Sequence, residues 1–505
     1  MSGKSKNFLS QLSYTFISQV IITILGIILL KLLSNILTEE GLGAYLVIRR
    51  LIALSFPLIT LNLAMSLARF ISFKKKYSEK YLVFSFFVIS SFFILLLITF
   101  PFYKNALTKI LFGDLKYNSL ILPTLLFLYA SSFYVICVGF FRGKHEFVYM
   151  NIVNIIFWVE SLLVFGLVSF INNKNYISFV PQFFIIYAFI SFIINIIIIN
   201  KKEKVINEFK LLRTDFHLIK NIFCSEFFRY GIKRIPTVFF LQGLFFIPVI
   251  TASTFISLKT AAYIGIIISI VRMIQLLGMP FSILFLPKFS LLKSQKNENI
   301  IKSNCQIILD YIFTFPFILG LLVLFFSNEL INLWFGSRYE IIVNHLMLVG
   351  PFIGIFLGYV LIRSILDGLS EFPYSNIITF SGIFSVIIFS ILSIIFSWEL
   401  YGLTLSLCIG ILVMGVLSVV ILARKQKLKI FNFKNSVSST FFLILLVILY
   451  SYNKNVHIDS IYFSLFIKLL ISFFLIIFSF FLYKKLNYEW AHKLYSELLK
   501  RRNKI

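Results

Sequence analysis

The chain has 505 residues, of which 59% are hydrophobic and only 13% charged, and its formal net charge is +27. A water-soluble domain carries about 25% charged residues, so this composition excludes one. It also excludes a membrane β-barrel, whose segments of ~10 residues would alternate apolar and polar. The remaining class is a helical integral membrane protein, since apolar runs of about 20 residues between charged breaks mark membrane-crossing helices.

The basic N-terminus, MSGKSKNFLSQLSY, has no A-x-A-like cleavage site and reads as the start of an uncleaved first helix. Fourteen spans are predicted. The first, 13–34, contains Gln19, with Lys31 near its outer end. The second, 44–68, carries the adjacent Arg49 and Arg50 and then Pro57. Adjacent helical residues point ~100° apart, so both cannot face one cavity equally: Arg49 has the repeat partner, Arg50 could reach outward, and which of the two faces the cavity stays open. Spans three to six cover 81–102, 119–141, 149–171 and 180–200, with Glu160 in the fifth. Span seven, 235–253, holds Gln242 and Pro248, with Pro236 at its start. Span eight, 261–287, holds Arg272 near its middle and Pro280; span nine, 303–326, holds Asp310 and Pro316. The last five spans cover 342–366, 374–397, 400–423, 437–451 and 460–483. Arg363 and Lys468 lie close to span ends and are expected to reach the headgroup layer. In the tail, Leu486, Trp490, Leu494 and Leu498 recur at i+4 among lysines and arginines, the pattern of a helix lying on the membrane surface.

Charge fixes an orientation. Most of the 47 Lys and Arg residues fall on the N-terminus, the C-terminal tail and alternate segments such as 69–80 and 201–234. The opposite loops hold few, among them Lys104, Lys174 and Arg338. An excess of positive charge on alternate loops is the cytoplasmic signature, which places both termini in the cytoplasm. The basic charge therefore expresses topology, and no nucleic-acid partner is expected.

The chain repeats itself. GKHEFVYMNI at 143–152 and GLSEFPYSNI at 368–377 share six of ten residues in register. The first connects spans four and five, the second spans ten and eleven. Gln19 and Gln242, Arg49 and Arg272, and Pro57 and Pro280 stand at nearly the same offset. The expected architecture is all-α, with an N-lobe over 1–215, a C-lobe over 216–435, a final helix pair over 436–483 and an amphipathic tail over 484–505. Two such lobes in parallel repeat enclose a central cavity and alternate its access by rocking. The duplicated loop reads as structural: Gly143 and Gly368 suit helix stops, and Asn151 and Asn376 can bond backbone at the next helix start.

Charges at mid-membrane cost about 2.5–3.5 kcal/mol on insertion scales and are seldom idle. Arg272, Arg49, Arg50 and Lys31 outnumber the two carboxylates placed within spans, Glu160 and Asp310. Surplus cations suit an anionic ligand, and arginine's planar fork binds phosphate bidentately. Glu160 and Asp310 are candidates for pairing with the cations or for coupling to a proton or sodium ion. Gln19 and Gln242 are candidates for a polar cavity wall. The four cysteines, Cys137, Cys224, Cys305 and Cys408, have neither metal-ligand nor disulfide-framework spacing. The five histidines carry no H-E-x-x-H pattern, so a membrane-bound sugar polymerase or transferase is disfavoured. No metal or other cofactor is expected.

Several stretches carry a family resemblance: LTEEGLGAYLVIRRLIALSFPLITLNLAMSLARFIS at 37–72, FRGKHEF at 141–147, YIGIIISIVRMIQLLGMPFSILFLPKFS at 263–290 and LWFGSRY at 333–339. The chain resembles the multidrug/oligosaccharidyl-lipid/polysaccharide exporter superfamily, and within it the polysaccharide-repeat flippases of the Wzx type. The resemblance implies transfer of undecaprenyl-pyrophosphate-linked oligosaccharide units across the bacterial inner membrane for surface polysaccharides such as O antigen. It implies pyrophosphate binding by Arg49 or Arg50 with Arg272, and a lipid-tail groove at the last two helices. The partners it implies are the lipid-linked oligosaccharide and membrane lipids, with a polysaccharide polymerase and chain-length machinery beyond them. The chain lacks the early Arg-Asp pair of lipid II flippases and the first- and second-span Asp often kept by drug exporters of the superfamily. A drug/cation antiporter of the same fold is the alternative, and would rest on Glu160 and Asp310.

Overall fold

The computed structural model describes residues 2–73, 78–171, 176–203, 222, 225–312, 314–370, 372–430, 433–456 and 460–486. These residues are helical almost throughout, with no strand among them. The helices are α1 (Ser2–Ile36), α2 (Glu39–Ile59), α3 (Leu63–Phe73), α4 (Ser78–Phe112), α5 (Ile121–Gly143), α6 (Phe147–Ile171) and α7 (Tyr176–Glu203). They continue as α8 (Glu226–Phe255), α9 (Leu258–Ser294), α10 (Glu298–Ile312), α11 (Phe315–Phe325), α12 (Ser327–Trp334) and α13 (Ile342–Leu369). The last four are α14 (Tyr374–Ile395), α15 (Glu399–Gln426), α16 (Phe433–Asn455) and α17 (Ile461–Lys485). Fourteen stretches among the described residues are long and apolar enough to cross a membrane, one for each predicted span.

Spans two and nine are built from two helices each, and local chemistry explains the breaks. α2 begins at Thr38, whose Oγ1 accepts the Gly41 amide at 3.1 Å. It contains Pro57 and ends at Ile59. Leu61 and Asn62 then take positive φ, 44° and 53°, before α3 restarts the span. The α10–α11 break falls just before Pro316, which occupies the first turn of α11, where a missing amide costs nothing. Pro236 and Pro248, by contrast, lie inside an uninterrupted α8.

The helices divide into two compact units: Met1–Gly265 with Ile394–Leu400, and Ile266–Ser393 with Tyr401–Ile505. The boundary in α9 differs from the 215/216 boundary expected from the repeat, which lies outside the described residues. In lipid there is no hydrophobic drive between helices, so close backbone approach and interhelical hydrogen bonds hold them together. In the first unit, α3 is gripped from two sides. A Cβ on Gly139 or Gly143 of α5 would lie 2.5 Å from the Ala64 or Leu67 carbonyl oxygen of α3, and one on Gly231 of α8 would lie 2.6 Å from the Leu61 carbonyl. At the start of α2, Glu39 pairs with Lys259 at 2.9 Å and accepts from the Tyr263 hydroxyl at 3.0 Å. In the second unit, Gly320 of α11 and Gly350 and Gly354 of α13 bring those two helices equally close.

The duplicated loops are structural in detail, though not as the sequence suggested. Gly143 is the last residue of α5 and serves helix packing; the left-handed residue is His145, with φ 62°. Gly368 lies within α13, where its carbonyl accepts from Ser290 at 3.3 Å. Asn151 bonds the Thr15 hydroxyl of α1 at 3.3 Å, tying α6 to α1 rather than closing a turn. Lys425 bonds Ser370 and sits 3.9 Å from the Tyr374 ring centroid, fixing the second copy. Trp490, Leu494 and Leu498 of the expected surface helix, Cys224, and His217, His457 and His492 lie outside the described residues. Cys137, Cys305 and Cys408 are free thiols buried among apolar neighbours.

Candidate functional site

The polar side chains of the first unit gather along three helices. On α2, Arg49 is half-buried, with its guanidinium carbon 5.3 Å from the Trp158 ring centroid of α6. It also hydrogen-bonds the Tyr45 hydroxyl one turn away. No carboxylate lies within ion-pairing distance of Arg49 among the described residues. Gly26 of α1 lies against the same Trp158 ring, where even a Cβ would stand 3.4 Å away. Trp158 is thus held between α1 and Arg49.

Glu160, two residues beyond Trp158, is only 2% exposed. It lies near the Ser191 hydroxyl of α7, and its Oε2 is buried without a hydrogen-bond partner among the described residues. No Lys or Arg pairs with it there. Around it stand Tyr134, whose hydroxyl donates to Asn154 Oδ1 at 2.6 Å, and Tyr187, whose hydroxyl donates to the Phe157 carbonyl at 2.5 Å. Tyr187, Ser191 and Asn195 repeat at i+4 on α7, and Asn195 Nδ2 donates to the Ser191 carbonyl at 2.7 Å. Both Glu160 and Arg49 lie within electrostatic range of Tyr187, yet they do not pair. Among the described residues the first unit therefore holds, at Arg49, a guanidinium without a carboxylate and, at Glu160, a carboxylate without a cation. An isolated ionised carboxylate in an apolar interior is costly enough that it takes up a proton or a cation.

The other sequence-predicted residues separate. Arg50 is 7% exposed and does not reach outward, because α2 is packed around most of its circumference. Lys31 is exposed, and Gln19 and Gln242 are half-buried. In the second unit, Arg272 is half-buried mid-way along α9, between Ser269 and Gln275, both buried. Asp310 on α10 accepts from Gln306 at 3.0 Å and from Asn435 of α16 at 3.2 Å, a tie between helices.

Two further expectations are corrected. Lys468 does not reach the headgroups: it is 4% exposed and bonds Glu329 Oε2 and the Phe325 carbonyl, each at 2.9 Å. The Ser464 hydroxyl donates to the other oxygen of Glu329. Arg363 also turns inward, 3.7 Å from Asp367; Asp367 in turn accepts from Ser375 at 2.5 Å. The carboxylates held within the helical mass therefore include buried Glu329 and half-buried Asp367, besides buried Glu160 and half-buried Asp310. Sequence reading passed over Tyr134, Tyr187 and Ser191. The repeat offset pairs Tyr134 with Tyr359, a signal that would have singled out both.

The fold is that of transporters of the multidrug/oligosaccharidyl-lipid/polysaccharide (MOP) superfamily. Among solved structures that share it is the lipid II flippase MurJ in an inward closed conformation, at TM-score 0.64 and 20% identity over 95% of this chain and 99% of the other. An inward-facing MATE-family multidrug resistance transporter of the MOP superfamily matches at TM-score 0.63 and 12% identity, over 86% of this chain and 96% of the other. A eukaryotic MATE transporter, AtDTX14, matches at TM-score 0.57 and 14% identity, over 86% of this chain and 98% of the other. No family model matches the sequence, and no curated protein matches it at sequence level.

Proposed function

We propose that the protein is a membrane flippase that moves a diphosphate-linked oligosaccharide lipid from the cytoplasmic to the outer leaflet of the inner membrane by alternating access, for surface polysaccharide assembly. The observation that carries this reading is Arg49: a guanidinium on a membrane-spanning helix that stacks on Trp158 and bonds Tyr45 but has no carboxylate partner among the described residues. Such a charge favours an anion, and a diphosphate matches its bidentate donor geometry. Arg272 stands at the repeat-related position of the second unit and is proposed to bind a diphosphate in its turn. The similarity to MurJ supports the reading, because it extends over 95% of this chain, against 86% for the MATE transporter. Deleting the gene should leave lipid-linked sugar in the cytoplasmic leaflet. Arg272→Ala and Arg49→Ala should each fail to restore export, by about tenfold or more if each guanidinium–phosphate contact contributes about 1.5–3 kcal/mol. Full export by both variants would overturn the reading.

One observation favours a second reading, cation-coupled drug export. Glu160 is a buried carboxylate with one unbonded oxygen, suited to taking up a proton or sodium ion. Under that reading Glu160→Gln abolishes transport while the arginine variants retain it. Within the flippase reading, Glu160 is proposed to couple the same cation to the cycle.

A further inference from the structure

A second group of cations in the first unit lies outside this cluster, at the end that the charge balance assigns to the cytoplasm. Three close helix contacts assemble it. Gly139 and Gly143 seat α5 on α3, and Gly231 seats α8 on the start of α3. Two arginines, one on α3 and one on α8, consequently converge on one aromatic ring, with a third, on α5, in its neighbourhood. The Arg69 guanidinium carbon of α3 is 4.4 Å from the Tyr230 ring centroid, and that of Arg234 on α8 is 5.3 Å away. Arg142, at the end of α5, lies within electrostatic range of the Tyr230 hydroxyl. Arg69 and Arg142 are exposed, and Tyr230 and Arg234 half-buried. Phe70 and Phe227 complete an aromatic floor, their rings packed edge-on 5.9 Å apart, with Tyr230 6.1 Å from Phe70.

No carboxylate forms an ion pair with Arg69 or Arg142 among the described residues; Glu79 and Glu226, on nearby helix ends, do not reach them. Arg229 and Lys233 add further exposed positive charge to α8. The N-terminus of that helix also points positive: the Ser225 hydroxyl donates to the Ile222 carbonyl and makes no capping bond to the first-turn amides. Loop lysines satisfying topology need only be scattered. Here guanidinium groups from α3 and α8 share one ring with Arg142 of α5 in range of it, a concentration of positive charge that favours an anion. Arginine forks and a helix N-terminus both suit phosphate.

We propose that Arg69, Arg142 and Arg234 around Tyr230 form a binding site for the phosphate-bearing headgroup of a lipid. Two lipids share that chemistry: an anionic phospholipid of the surrounding leaflet and a prenyl diphosphate of the cargo type. The site stands independently of the transport reading, since binding is measured without translocation.

The test measures retention of phosphatidylglycerol and of geranylgeranyl diphosphate by the full-length protein in detergent, using native mass spectrometry. Arg69→Gln, Arg142→Gln and the double variant are compared with wild type, and Arg69→Lys/Arg142→Lys controls for folding. Each Gln substitution should weaken binding of at least one lipid by about tenfold, the size expected for one lost charge-assisted contact. The Lys pair should retain much of it. Selective loss of the diphosphate identifies a cargo-capture site; equal loss of both identifies an anionic-lipid site, and either supports the proposal. Unchanged binding of both lipids by a monodisperse double Gln variant overturns it.

Discussion

At the scale of single residues, the first unit keeps two opposite charges apart that could have neutralised each other. Arg49 rests on Trp158, and Glu160 rests on Ser191. A structural ion pair would have buried both charges together; their separation leaves each available to a mobile partner. Glu160→Gln keeps the shape of the side chain beside Ser191 while removing the ionisable oxygen. The expected outcome is an unchanged or slightly raised melting temperature in detergent together with loss of any stabilisation by added sodium or by low pH. A melting curve that still responds to the cation as wild type does would place the ion elsewhere. Trp158→Ala should act differently, weakening Arg49 positioning and α1 packing at Gly26 together and lowering stability by about 3 kcal/mol, the usual size for a large aromatic truncation.

At the scale of elements, the last span is fastened by polar contacts. α17 is largely exposed along a row of aromatic residues that includes Phe466, Phe473 and Phe481, while its Ser464, Lys468, Ser472, Ser479 and Tyr483 are buried. Lys468 reaches the C-terminal carbonyl of α11 at Phe325 and Glu329 in the first turn of α12. The cation thus meets the negative end of one helix dipole, and the carboxylate sits at the positive end of the next. Asn453 of α16 bonds the Leu324 and Phe325 carbonyls at 2.7 and 3.0 Å, so both C-terminal helices are latched to the same helix end. Lys468→Met or Glu329→Gln alone should destabilise by about 3–5 kcal/mol, because either leaves an unmatched buried group. The double variant should recover most of that loss, which a double-mutant cycle on thermal unfolding would measure. Gly143→Val, by contrast, should separate α5 from α3 and disturb the Arg69–Arg142 grouping; its effect on lipid binding should exceed its effect on the Glu160 cluster.

At the scale of the whole molecule, the fourteen spans were legible because apolar length alone sets them, and their ends differ from the helices only where polar residues continue the helix beyond the apolar core. The second span shows the limit: Pro57 announced a distortion, but the left-handed turn at Leu61 and Asn62 carries no signal in apolar length. Charge position was less legible than charge count. Lys468 lies two turns inside α17, close enough to an end to suggest headgroup contact, and only Glu329 from a distant element explains its inward turn. Glu160 was recognisable as an intramembrane carboxylate, but Ser191 and Tyr187 joined it through helix packing that a single sequence does not display. The duplicated loop was legible as a match of residues, while the roles of its glycine and asparagine depended on neighbours, Leu67 and Thr15.

The most direct measurement is translocation itself: proteoliposomes holding the purified chain and a fluorescent diphosphate-linked oligosaccharide lipid, with the fraction reaching the far leaflet followed by a membrane-impermeant quencher. A flippase of the kind proposed moves the lipid with wild-type protein and loses at least about tenfold in rate with Arg49→Ala or Arg272→Ala. Wild-type vesicles no faster than empty ones, or arginine variants as fast as wild type, would contradict it.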